Sequence, residues 1–72
     1  MSTKYQQLFG RRVRVLRKSL GLSQLELADK VGIDRSYMGF IERGERNVSL
    51  EVIAKIAEAL DTTPDELLKK QK

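Results

Sequence analysis

The chain has 72 residues, a formal charge of +4 and no Cys, His or Trp, with 40% apolar and 33% charged residues. That balance is globular rather than disordered, and the length bounds it to one domain, expected over 1–72. The missing Cys and His exclude disulfides, thiolate metal sites and the commonest general base, and no cofactor is expected.

Aliphatic side chains must fill the core, because only two Phe and two Tyr are present. A single core of this size supplies about 3–5 kcal/mol, which leaves oligomerisation as the expected additional support. The longest apolar run is Val52–Ala54, and Met1 to Tyr5 lack the apolar segment of a signal peptide, so a cytoplasmic protein with no membrane partner is expected. Residues 1–20 carry Lys4, Arg11, Arg12, Arg14, Arg17 and Lys18 without an acid, while the remainder is nearly balanced. Such a block points toward a polyanion, although a solvated helix face would carry the same charge.

Periodicity and punctuation predict an all-α domain of five short helices. Phe9, Val13, Leu16 and Leu20 form the stripe of the first helix, which Gly21 is placed to stop. Ser23 and Glu26 stand at capping-box spacing, and Leu22 and Leu27 at that of a hydrophobic staple, so a second helix starts at Ser23 and ends at Gly32. Asp34 is placed to cap a third helix running through Arg43 to Gly44, with Met38 and Ile41 facing inward. Ser49 caps a fourth, where Leu50, Ile53, Ala57 and Leu60 make one apolar stripe and Val52, Ile56 and Ala59 a second. Thr63, Pro64 and Glu66 open a fifth as N-cap, first helical residue and reciprocal cap, followed by Leu67 and Leu68.

Two short helices, 23–31 and 34–43, joined by a turn containing Gly32 have the form of a helix-turn-helix. Ala28 is small where the pair must approach closely. A plain helical hairpin would have the same spacing.

The residues Gly21-Leu22-Ser23-Gln24, Leu27-Ala28, Val31-Gly32-Ile33, Ile41-Glu42-Arg43-Gly44 and Ser49-Leu50, with Lys55 to Leu60 and Pro64 to Leu68, resemble the Cro-type phage-repressor helix-turn-helix family over about 9–68. Within it, Asp34 to Tyr37 and Arg46 to Leu50 resemble restriction–modification controller proteins, which are small dimeric transcription regulators. The resemblance implies a five-helix, lambda-repressor-like domain that binds a palindromic duplex DNA operator. RNA polymerase is then a candidate second partner, although one chain carries no signature of that contact.

The resemblance implies base contacts from Arg35, Ser36 and Tyr37 at the start of the third helix. Arg35 offers a fork of donors suited to guanine O6 and N7. It could equally be a solvated arginine, and the Tyr37 ring could pack on the domain. Gln24, first after the N-cap of the second helix, is implied as a phosphate contact, and Arg43, Arg46 and Asn47 as backbone contacts. The family commonly pairs an arginine with a glutamate at the positions of Arg17 and Glu42, implying a partly buried ion pair. Surplus apolar surface on the last two helices predicts a homodimer through Val52, Leu67 and Leu68, unless the fifth helix alone covers it.

Gly39 either clears space for DNA or is tolerated, and Phe40, on the exposed side of the third helix, departs from the family pattern. No Ser has a partnering base and no glycine-rich phosphate loop is present, so catalysis is not expected. The rival reading is a helix-turn-helix protein-interaction module, of antitoxin or coactivator type.

Overall fold

A computed structural model describes residues 3–69. They form α1 (Lys4–Ser19), α2 (Gln24–Val31), α3 (Arg35–Glu42), α4 (Leu50–Ala59) and α5 (Pro64–Leu67), with no strand among the described residues. None of these helices is long and apolar enough to cross a membrane.

Local hydrogen bonds set the helix starts. At α1, Thr3 Oγ1 accepts from the Gln6 N–H (3.1 Å) and Gln6 Oε1 accepts from the Thr3 N–H (2.9 Å). The same reciprocal box opens α2, where Ser23 Oγ accepts from Glu26 N (3.0 Å) and Glu26 Oε1 from Ser23 N (2.8 Å). Because the Ser23 backbone N–H, and then its hydroxyl, stabilise the carboxylate, Glu26 titrates below its ordinary range. Ser49 Oγ accepts from Val52 N at α4.

Two expected caps do not form. Asp34 has the extended backbone of an N-cap, but its side chain makes no capping bond. Thr63 likewise makes none; its hydroxyl serves the Asp65 carboxylate, which is held below its ordinary range, while Glu66 pairs with Lys69 at 2.8 Å.

α3 packs on both α1 and α2, α4 on α2, and α5 on α1 and α4. Phe9 and Val13, Leu27, Ala28 and Val31, Met38 and Ile41, Ile56, Ala57 and Leu60, and Leu67 meet in one core. Cutting one of its large members back to Ala costs about 2–5 kcal/mol. Leu20 and Leu50 lie outside it despite their place in the stripes. Leu20 follows the last turn of α1, and Leu50 begins α4 beyond the core's edge, 83% exposed. Leu67, expected in the dimer contact, is instead 0% exposed within its own chain, on a helix packed against α1 and α4, and so has no surface to offer a second copy.

The α2–α3 turn is closed by the Gly32 and Ile33 N–H groups, which both donate to the Ala28 carbonyl (2.8 and 3.0 Å). Gly32 has φ of +84°, which a side chain would resist. Where α1 crosses the end of α3, two glycines remove the Cβ atoms that would keep the helices apart. A Cβ on Gly10 would lie 2.3 Å from the Ile41 carbonyl oxygen, and one on Gly44 2.7 Å from Gln7 Cα. That contact sets how closely the end of α3 lies on α1.

Candidate nucleic-acid interface

The bond network beneath α3 begins with Arg17. Its Nε and Nη2 donate to both Glu42 carboxylate oxygens (2.6 and 3.1 Å), and its Nη1 donates to the Leu22 carbonyl (2.8 Å). The two side chains are 9% and 2% exposed, so the pair is internal, bidentate and satisfied. Glu42 Oε1 also accepts from Gln24 Nε2 at 3.0 Å. One carboxylate therefore ties the end of α3 to α1 and to the first residue of α2.

Above that network, Gln24, Arg35, Ser36, Gly39, Phe40 and Arg43 line one groove across the α2–α3 junction. Arg35 and Ser36 are the first two residues of α3, and both are exposed. With no capping bond from Asp34, the first-turn N–H groups receive no side-chain acceptor from the N-cap. Tyr37 is half-buried and its ring packs against the core. The groove can accept hydrogen-bond acceptors and negative charge.

Arg43 caps α3 at its C-terminus, and Arg46 and Asn47 lie exposed in the loop to α4. The Arg43 Nε donates to Glu45 at 3.1 Å, an exposed pair. Gln6 Nε2 donates to Asn47 Oδ1, anchoring the loop on the first turn of α1. The guanidinium carbons of Arg43 and Arg46 stand 4.9 and 4.8 Å from the Phe40 ring centroid. The sequence alone assigns no role to Phe40, Gly39 or Gln6. The i, i+3 spacing of Phe40 and Arg43 is a readable signal, whereas Arg46 reaches the ring only because the loop folds back.

The basic block of α1 is not one free patch. Arg11, Arg14 and Lys18 are exposed, but Arg17 is spent on Glu42, and Arg12 is half-buried with its Nε unpaired among the described residues. Val52 is half-buried on the core, and Leu68 is 51% exposed. Tyr5, Val48, Ile53 and Leu68 line a second, apolar groove, bordered by Arg46 and Asn47.

A family model described as helix-turn-helix matches residues 13–67. Control protein C.BamHI of Bacillus amyloliquefaciens is 45% identical over 69 residues, covering 94% of this chain and 85% of that protein. The crystal structure of the restriction–modification controller protein C.AhdI from Aeromonas hydrophila superposes with a TM-score of 0.83 at 56% identity, over 86% of this chain and 94% of that one. SinR, the master regulator for biofilm formation, solved in complex with DNA, gives 0.80 at 37% identity, over 85% and 98%. On the matched span, most of its length, and on these identities, the chain belongs to the helix-turn-helix family.

Proposed function

We propose that the chain is a sequence-specific, duplex-DNA-binding transcriptional regulator of the restriction–modification controller type, acting in the cytoplasm as a homodimer on a near-palindromic operator. The observation that carries this reading is the groove at the α2–α3 junction. It sets the exposed Arg35 and Ser36 beside Gln24 and Arg43, over a domain whose Glu42 network holds α3 rigidly. A recognition helix needs such a combination of base-reading donors at its start and phosphate partners around it.

In this mechanism Arg35 reads guanine with its guanidinium fork and Ser36 a neighbouring base edge, while Tyr37, its ring packed on the core, would add a contact through its hydroxyl. Gln24, Arg43, Arg46 and Asn47 hold the phosphates on either side, which sets register and affinity rather than sequence. The controller proteins among its relatives, and SinR with its DNA, support the DNA partner. Val52 and Leu68 stay in the proposed dimer contact, and the apolar groove beside Leu68 extends it. RNA polymerase is the further partner a regulator bound near a promoter would meet.

Selection from a random duplex pool, followed by a gel shift on the recovered sequence, tests this reading. The expected result is a near-palindromic site bound by a dimer. Enrichment of no sequence, together with stoichiometric binding of a partner protein through the same groove, would replace it with the interaction-module reading.

A further inference from the structure

Three basic or aromatic side chains around the end of α3 form an arrangement that base reading does not require. Phe40 is half-buried on the groove side of α3, and its ring is approached by two guanidinium groups at once, Arg43 at 4.9 Å and Arg46 at 4.8 Å. Gly39 completes the seat. A Cβ there would stand 3.2 Å from Arg43 Nη1, so the guanidinium lies close over bare backbone and would have to shift by a few tenths of an ångström for a side chain.

Elsewhere these arginines are weakly held. Arg46 sits on an exposed loop, and the only ion pair of Arg43 among the described residues is the exposed one through Nε to Glu45, which leaves its Nη atoms available. Two cations gathered on one ring repel each other, and a bound anion relieves that repulsion. Each is attracted to the ring's negative face, which fixes a long side chain that would otherwise sample many rotamers.

We infer that Phe40 is a positioning residue, which orders Arg43 and Arg46 before binding into a two-pronged clamp for a single stretch of DNA phosphate backbone. This rests on the DNA-binding reading above and gives Phe40 a role that requires no contact of its own with base or phosphate. The ordering entropy of two arginines is then largely lost in folding rather than on DNA.

The test compares Phe40→Leu with Phe40→Tyr, on the selected operator and on a random duplex, across a salt series. Phe40→Leu is expected to weaken both duplexes by about five- to a hundredfold, the scale of ordering two flexible side chains. The salt slope is expected to stay the same, because the number of cations is unchanged. Phe40→Tyr is expected to restore the wild-type affinity. In an Arg43→Ala, Arg46→Ala background, Phe40→Leu should have no further effect. In the free protein, the Nε–H resonances of both arginines should carry ring-current shifts that vanish in Phe40→Leu.

Unshifted resonances, an unchanged affinity in Phe40→Leu, or a loss that persists without the arginines would each overturn the clamp. A change confined to base preference would do the same, since the ring would then be reading bases itself. If these results appear while wild-type protein binds the operator tightly, only the clamp fails. Wild-type protein that binds no duplex at any salt overturns the DNA reading, and the clamp's purpose with it.

Discussion

Glu42 carries more of the structure than its single charge suggests, because its two oxygens accept from Arg17 twice and from Gln24 once. Removing it strands a buried guanidinium, which in comparable settings costs about 3–5 kcal/mol. Glu42→Ala is therefore expected to lower unfolding free energy by that amount in urea titrations, enough to leave much of the protein unfolded in buffer. Replacing the pair together, Arg17→Met with Glu42→Leu, should be much milder, with the Leu22 carbonyl as the main group left unpaired. A single-site loss below about 1 kcal/mol, the scale of an exposed ion pair, would contradict the structural role of Glu42. Gly10 gives a second test in which two effects oppose each other. Alanine in a helix interior is normally favoured over glycine by about 1 kcal/mol. Here its methyl would lie 2.3 Å from a backbone carbonyl of α3, which cannot rotate away. Gly10→Ala should thus destabilise by about 1–3 kcal/mol, the cost of overpacking, and a higher melting temperature would contradict the close crossing.

At the scale of elements, legibility in the sequence follows the range of the interactions. α2 could be read in full because its capping box, its staple residues and its Gly32 stop all lie within ten residues of one another. Asp34 and Thr63 are good capping types, yet only the folded backbone shows that neither side chain caps its helix. α5 is a single turn, too short for periodicity to tell buried Leu67 from exposed Leu68. Spacing could not connect Gly10 to the carbonyls of α3, or Phe40 to an arginine beyond the helix end. The groove's outline at Gln24, Arg35 and Ser36 was legible because helix starts are local signals; the clamp behind it was not. The α2 box also makes a pH prediction. The Glu26 carboxylate is favoured in the folded state, so its contribution is fully present above the unfolded-state value, about 4.3, and is lost as pH falls through the lower folded value. Glu26→Gln keeps a neutral acceptor for the Ser23 N–H. Wild type should be the more stable near pH 7, with the difference shrinking as the pH falls below the ordinary carboxylate range, as read by denaturation at each pH. A difference independent of pH would mean the charge plays no part.

At the scale of the molecule, the described residues are too small to meet two major grooves by themselves. Their longest extent is 26 Å, against the ~34 Å that separates successive turns on one side of duplex DNA. The proposed two-fold dimer would solve this, and it is expected to place two α3 helices about that distance apart on a near-palindrome. Because Leu68 is half exposed, Leu68→Glu should leave the monomer's stability almost unchanged while shifting sedimentation toward monomer and weakening operator binding. Within the dimer, reading and holding should separate. Arg35→Ala is expected to cost about 1–3 kcal/mol per contact and to relax preference at one base pair in each half-site. Arg46→Ala should weaken all sequences alike and reduce the salt slope by about one per phosphate contact, since phosphates are the same everywhere. Gln24→Ala should also weaken all sequences, but with the slope intact, because an amide carries no charge to exchange for counterions. Competition binding of the three variants on matched and mutated operators measures all of these at once. If Arg35→Ala weakened every duplex equally while Arg46→Ala changed base preference, readout would belong to the α3–α4 loop and not to the start of α3.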